Sequence, residues 1–314
     1  MEEFKFIRLS DSNFGLLVPL YKKVFGKIIE EDFLKRKFDT YSICGLKNFG
    51  FLAIHSNGEA AAFYGVLPCY SVKGEEKVLV AQSGDTMVDS VYRRKKLFVK
   101  LAELTNELCK EHNVKAVFGF PNMFSLPTFT KKLGWTHTHS IEVFYAKVSC
   151  LPFLKLKKLL KLGDDFFIGY QNKVLKVNSI QETSFESILS SHEFYTIDRG
   201  EDYISHKAIP QKYMLTIEGV YLWIKLTPMY LLVGDMSKCS SEDFEKVKSG
   251  LKKLCFKLGV PYYRFQTSPG TDFHKMLKSS LSKLENEYPA GGISFDEKFD
   301  ISNLNFILAD NDTF

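Results

Sequence analysis

The 314-residue sequence predicts an α+β fold in tandem, each copy a mixed, mostly antiparallel sheet flanked by helices. Three observations carry the prediction. Apolar residues run in strand-like segments of five to fourteen residues between stretches where they recur every three or four positions, as amphipathic helices require. The length is too great for one ordinary core and suits two. The order of elements from Lys77 to Leu133 (strand, turn, long helix, short strand, proline-containing turn, helix) returns in the second half without residue identity. The expected division is a first domain over 1–150, a basic linker over 151–168 and a second domain over 169–314.

Within the first half, Phe4–Leu9 reads as a strand. Asp11 or Ser12 is placed to cap a helix with Leu16, Leu17, Leu20, Tyr21 and Phe25 on its apolar face. A short helix over Glu31–Phe38 follows. Strands at Gly50–His55, Glu59–Val72 and Lys77–Val88 form a meander, turned at Asn57-Gly58 because both residues tolerate positive φ. Leu97, Leu101, Leu104 and Leu108 line one face of a helix running from about Lys95 to His112. Then come a buried strand at Lys115–Phe120, a helix through Phe124–Leu133 stopped by Gly134, and a strand at His139–Val148.

Residues 152–162 are basic and amphipathic, which suits a packed linker helix or a weak membrane-surface contact. Beyond them, Val220–Leu226 and Met229–Asp235 form a hairpin. A helix over Ser241–Leu258, a strand at Tyr262–Gln266 and a helix at Thr271–Leu284 complete the second half.

Composition excludes several classes. No apolar run of about 18 residues is present, so no transmembrane segment is expected. The six cysteines are scattered without a CxxC pair and the histidines lack HExxH spacing, so no metal is expected and the thiols suit a reducing, cytoplasmic setting. The net charge is +5, and all of it lies in residues 1–150, where 21 Lys and Arg face 16 Asp and Glu. Arg93, Arg94, Lys95 and Lys96 supply four of those charges. Such concentration argues for one anion site and against a nucleic-acid surface.

That basic loop follows a strand and opens a helix. A helix N-terminus offers unpaired N–H groups and a partial positive charge, so four cations there describe a phosphate site. The alternative is a solvated basic turn. GxxxxGK[ST] is absent, which removes a P-loop nucleotide hydrolase.

Asp85-Thr86-Met87-Val88 followed by Tyr92-Arg93-Arg94-Lys95-Lys96-Leu97-Phe98 resembles the acyl-CoA motif of GNAT acyltransferases, in particular the bacterial branch that modifies polysaccharide or amino-sugar precursors. Asn122-Met-Phe-Ser125 leading to Phe129 and Leu133-Gly134-Trp135 is similar to the family's next motif, and the closing residues 309–314 look like the tail of two-domain members. The resemblance implies acetyl-CoA as cosubstrate. Met87 and Val88 would pair with the pantetheine arm, and Arg93, Arg94, Lys95, Lys96, Leu97 and Phe98 would hold the pyrophosphate. Asn122, Ser125 and Phe129 would line the thioester end. An amine would attack the thioester directly, with Asp85, or Ser83 one same-face step before it, as the candidate base and Ser125 near the sulfur. Asn122 is equally placed to cap its helix.

Two positions depart from the pattern. Lys96 stands where the family usually has glycine, and Thr130 where many members carry a tyrosine acid. In the second half the matching helix starts on Glu242 and Asp243, which suit the dipole and repel a pyrophosphate. That half is expected to complete an acceptor pocket, with Glu201, Asp202, Tyr203, His206, Pro210 and Tyr213 as a candidate cluster for an amine or sugar, or to buttress the first. Two rivals to an acetyltransferase are a Fem-like aminoacyl transferase, which needs a broad basic groove for tRNA, and a non-catalytic binding protein of the same fold.

Overall fold

The computed structural model describes residues 3–150, 153, 164–181, 184–207, 212–285 and 288–314. They divide into two compact units. The first comprises Met1–His139, His192–Asp198 and Tyr288–Leu304; the second comprises Ser140–Ser191, Arg199–Glu287 and Asn305–Phe314.

The first unit is built on strands β1 (Phe4–Arg8), β2 (Gly50–His55), β3 (Ala60–Lys73), β4 (Glu76–Val88) and β5 (Ala116–Gly119). They lie side by side in chain order, antiparallel except for the parallel pair β4–β5. The meander is the one the turns at Asn57-Gly58 and Gly74 predict, with φ of +88° and +56° at the two glycines. The free edge of β5 is covered by Tyr288–Ser294, which pairs antiparallel from Gly291 to Ser294. That segment was expected in the second half. Gly291 and Gly292 allow its close approach, because a Cβ on Gly292 would crowd the Val117 carbonyl.

Helices α1 (Leu17–Phe25) and α2 (Glu31–Phe38) cover one face of this sheet, where Phe14, Leu17, Leu34 and Phe38 pack on Leu52, Phe63 and Met87. A very short helix α3 (Tyr41–Cys44) leads into β2. Helices α4 (Leu97–Glu111) and α5 (Leu126–Leu133) cover the other face, where Leu97, Leu101, Phe129 and Leu133 meet Ala53, Tyr64 and Ala81. The expected cap of α1 is not made. Asp11 instead accepts from Lys47 at 2.9 Å and Asn48 at 2.7 Å, and a 3-10 turn over Phe14–Leu16 starts the helix. Phe25, expected in the core, is 42% exposed because the helix ends there at Gly26.

In the second unit the sheet order is β6 (Thr136–Lys147), β11 (Tyr262–Thr267), β10 (Tyr230–Met236), β9 (Val220–Leu226), β8 (Lys212–Ile217). The pair β10–β11 is parallel and the rest antiparallel. Two-residue strands β7 (Thr196–Ile197) and β12 (Ser282–Lys283) extend β3 and β6 respectively. The long helix runs over Ser241–Leu258, as its periodicity predicts, and buries Phe244, Val247, Leu251 and Leu258. A helix over Asp164–Asn178 occupies part of the expected linker. The basic stretch 152–162 lies outside the described residues, except for Phe153.

The proposed acceptor cluster is dispersed within this unit. Tyr203 is buried beneath the Arg199 guanidinium, while Glu201 and Asp202 are exposed at the start of a short helix. The Tyr213 hydroxyl donates to Asn172 at 2.8 Å. The local reason is ordinary amphipathicity: Tyr203 and Ile204 turn inward and the acids turn to water. Pro210 lies outside the described residues.

Candidate functional site

Two features of β4 shape the site. Its pairing with β3 slips between Phe63 and Gly65, so that Tyr64 faces both Asp85 and Thr86. Asp85 takes up the extra residue at φ +48°, a conformation its short polar side chain tolerates. The bulge reverses the alternation of the strand. Ala81 faces the α4–α5 core, whereas Met87, also odd-numbered, faces the α1–α2 core. Ser83 and Asp85 are therefore not the same-face neighbours that regular alternation predicts.

The second feature is a wedge. β4 and β5 pair only at Ala81–Val117 and Gln82–Phe118, although β4 continues to Val88. Past this point the strands part. Beside Ser83, a Cβ on Gly119 would meet Trp135 at 3.2 Å and Ser83 at 3.3 Å, so glycine lets the indole lie against the strand.

Along the outer end of β4 lies a cavity of about 750 Å³. Its wall is the end of β4 at Val88, the loop residues Tyr92, Arg93, Arg94 and Lys96, and the first turn of α4 at Leu97, Phe98 and Val99. Thr128 and Lys132 of α5 close the other side. Tyr92 anchors the loop, its ring packed edge-on to Phe4 at 5.5 Å and against His55 at 4.9 Å. Asp89, the acid just ahead of the loop, is spent locally, accepting from the Val91 N–H at 3.1 Å with the Lys23 ammonium 3.5 Å away.

α4 begins without a side-chain cap and without an acid in its first turn. Its first N–H groups accordingly have no helical acceptor and face the cavity end with a partial positive charge. Lys96 at the N-cap has φ +58°, and Arg94 has φ +68°. Each left-handed non-glycine residue costs about 1–2 kcal/mol. Lys96 thus holds a left-handed conformation that glycine adopts without steric cost. Phe98 turns inward to Tyr64 and Phe129, with ring centroids 5.7 Å and 5.2 Å away.

Val88, Arg93, Arg94, Lys96, Leu97 and Phe98, all singled out from sequence, meet at this cavity. Others fall elsewhere. Lys95 turns away to Glu3 at 3.1 Å. The Met87 side chain is wholly buried, leaving only its backbone to the wedge. Phe129 packs under Trp135 at 4.5 Å. Asn122 shapes the turn ahead of α5, its side chain accepting from the N–H groups of Phe124 at 3.0 Å and Ser125 at 2.9 Å, while the Ser125 hydroxyl donates to the Asn122 carbonyl at 3.1 Å; the helix itself starts at Ser125 without a side-chain cap. Thr130 donates back to the Leu126 carbonyl at 3.1 Å.

Asp85 lies 2.8 Å from the Lys37 ammonium of α2, both side chains largely buried. Tyr64, wholly buried, has its phenol pushed well above the ordinary range by desolvation, opposed only by the nearby Ser83 hydroxyl. Sequence reasoning missed Tyr92, Val99, Thr128, Lys132 and Lys37. The spacing of Thr128 and Lys132, one helical turn apart, is the one signal that pointed to a shared face.

The second unit repeats the wedge and fills it. β10 and β11 pair only from Tyr230–Tyr262 to Leu232–Arg264, and β10 carries an extra residue, Gly234, against β9. β6 holds one edge of β11 as far as Thr267, and on the other edge Thr267 bridges Ile307 of the unit's own C-terminal segment. The Ser268 N–H donates to the Phe306 carbonyl at 2.9 Å, and the Phe306 N–H donates to the Ser268 hydroxyl at 2.8 Å. The Phe314 ring covers Gly234, where any Cβ would collide with it. Arg199 fastens the segment, donating to Asp235 at 2.7 Å and Asp310 at 2.6 Å, all three buried. The helix that follows is capped by Ser240 and has Glu242 and Asp243 in its first turn. An open wedge beside an uncapped, basic helix start therefore exists in the first unit.

Among the described residues no group of three or more His, Cys, Asp or Glu is placed to hold a metal ion, and no helix is long and apolar enough to cross a membrane.

Residues 6–138 match the family described as acetyltransferase (GNAT) domain. The fold is similar to a GCN5-related N-acetyltransferase from Kribbella flavida (TM-score 0.61, 12% identity, covering 93% of this chain and 71% of that one). It is also similar to one from Anabaena variabilis ATCC 29413 (TM-score 0.59, 12% identity, 93% and 73%). A conserved protein from Enterococcus faecalis V583 has the same fold (TM-score 0.61, 10% identity, 93% and 73%). No curated protein matches the sequence. The family match is confined to residues 6–138, and the solved structures, at 10–12% identity, share the fold.

Proposed function

We propose that the first unit binds an acyl-CoA thioester, acetyl-CoA in the first instance, and transfers its acyl group to the amine of a small acceptor such as an amino sugar or a cell-surface polysaccharide precursor. The observation that carries this reading is the convergence of Arg93, Arg94, Lys96 and the uncapped start of α4 on one cavity beside the β4–β5 wedge. Such a helix start binds a pyrophosphate through backbone N–H groups, and the cations neutralise its charge.

The pantetheine arm then follows the wedge, where the backbone at Met87 and Val88 has no β5 partner. The amine nitrogen attacks the thioester carbonyl carbon. A C–N bond forms, the tetrahedral intermediate collapses, the C–S bond breaks, and the thiolate takes up a proton. The enzyme contributes alignment of the two reactants, N–H donors to the carbonyl oxygen and a route for the ammonium proton. Asp85, a β4 carboxylate 2.8 Å from the Lys37 ammonium, serves to hold the acceptor's ammonium before its proton leaves. Six cysteines that form no disulfide suit a reducing, cytoplasmic setting.

Calorimetry with CoA and acetyl-CoA tests binding, and thiol release over a panel of amino sugars, polyamines and peptide amines tests turnover. Absence of binding, or binding indifferent to Arg93→Ala, overturns the reading. Binding without thiol release on any amine would favour a non-catalytic binding protein.

A further inference from the structure

The cavity carries more positive charge than a pyrophosphate diester, with two negative charges, requires. Arg93, Arg94 and Lys96 line it from the loop together with the α4 start, and Lys132 lines it from α5. Among the described residues, none of these four is paired with a carboxylate, in contrast to Lys95 on Glu3. Lys131 and Lys132 both sit in the last turn of α5, where a cation complements the helix dipole. The dipole alone does not distinguish them. Only Lys132 lines the cavity, and Thr128, one turn earlier on the same face, lines it too. A hydroxyl and an ammonium four residues apart on a helix wall form a natural pair of donors for a phosphate monoester.

The geometry points to a second anion subsite on α5, formed by Lys132 and Thr128, that takes the phosphate monoester on the adenosine ribose of CoA and selects CoA over its dephosphorylated form. The inference rests on the acyl-CoA reading of this cavity and adds to it the residues that read the nucleotide end. A phosphate monoester carries close to two negative charges at neutral pH, which matches the surplus left once the loop has served the pyrophosphate. The loop and α5 contribute different residues to the lining, so each set of donors is separable by mutation. Lys132 is exposed at the surface, and its truncation leaves the α4–α5 core untouched.

The test measures dissociation constants of the full chain for CoA and for dephospho-CoA. The wild type is expected to favour CoA by about tenfold or more, the effect of one or two charge-assisted hydrogen bonds. Lys132→Ala should abolish the preference while leaving dephospho-CoA binding within about twofold, and Thr128→Val should reduce it in part. Lys131→Ala, on the same turn but off the cavity, should leave the preference intact, which separates a subsite from a general field effect. Arg93→Ala should weaken both ligands together. Equal affinity of the wild type for both ligands, or a Lys132→Ala loss shared equally between them, overturns the subsite while leaving acyl-CoA binding standing. Failure of the wild type to bind either ligand overturns both readings.

Discussion

The Lys37 ammonium lies 2.8 Å from the Asp85 carboxylate, joining α2 to the one residue of β4 that adopts a left-handed conformation. Both side chains are mostly removed from water, with 15% and 9% of their surfaces exposed. Removing one partner takes from the other its opposite charge 2.8 Å away, whereas replacing both removes the desolvation cost as well. Lys37→Met alone should destabilise the chain by about 2–3 kcal/mol in urea unfolding, and the Lys37→Met/Asp85→Asn double variant should recover most of that. If Asp85 also holds the acceptor amine, Asp85→Asn will raise KM for the amine while CoA affinity stays unchanged.

Lys96 bears a backbone conformation that glycine adopts without cost. Lys96→Gly should therefore raise stability by about 1 kcal/mol, seen as an increase in Tm. The same change removes one cavity cation, so CoA affinity should fall severalfold, less than for Arg93→Ala. A drop in stability would contradict the strain reading of the loop.

One acyl-CoA should bind per chain. The second wedge is closed by residues 305–314, so calorimetric stoichiometry near one is expected and a value near two would contradict it. Gly234→Ala should destabilise the second unit by several kcal/mol, because its Cβ collides with the Phe314 ring. Arg199→Met leaves Asp235 and Asp310 buried beside each other without their cation, a loss of about 3–5 kcal/mol.

Burial, with His137 alongside, pushes the His139 imidazole down to about 4 from an ordinary 6.5. Between these values the unfolded chain binds a proton that the folded chain does not, so stability rises with pH across the window and levels off above it. The contribution amounts to about 3 kcal/mol at most. Chemical denaturation of His139→Gln at pH 4.5 and 7.5 should give a smaller difference than the wild type; an unchanged difference would assign the acid sensitivity to other groups.

Local pattern carried the elements whose signals are local. The helices Glu31–Phe38 and Ser241–Leu258 end where their periodicity and caps end, and the turn at Asn57-Gly58 forms where positive φ is tolerated. The basic loop was legible for the same reason, since a run of four cations before an amphipathic helix is visible without a fold. Face assignments along β4 were not legible. A single bulge at Asp85 inverts the alternation that places Met87, and nothing in the residues Ser83–Met87 marks where the extra residue will be absorbed.

By itself the sequence determined the α+β class, the two copies of one element order, and the position of a basic helix start in the first. Tertiary structure alone decided what these copies are equipped to do. It moved Tyr288–Ser294 onto the edge of β5, turned Lys95 out to Glu3, and brought Lys132 and Thr128 to the same cavity as the loop. It also closed the second wedge with residues 305–314 while leaving the first open. The physical reason is the range of the forces involved. Propensity, capping and periodicity act within a few residues, whereas strand pairing, buried ion pairs and cavity walls join segments tens to more than a hundred positions apart, and their partners are chosen only when the chain packs.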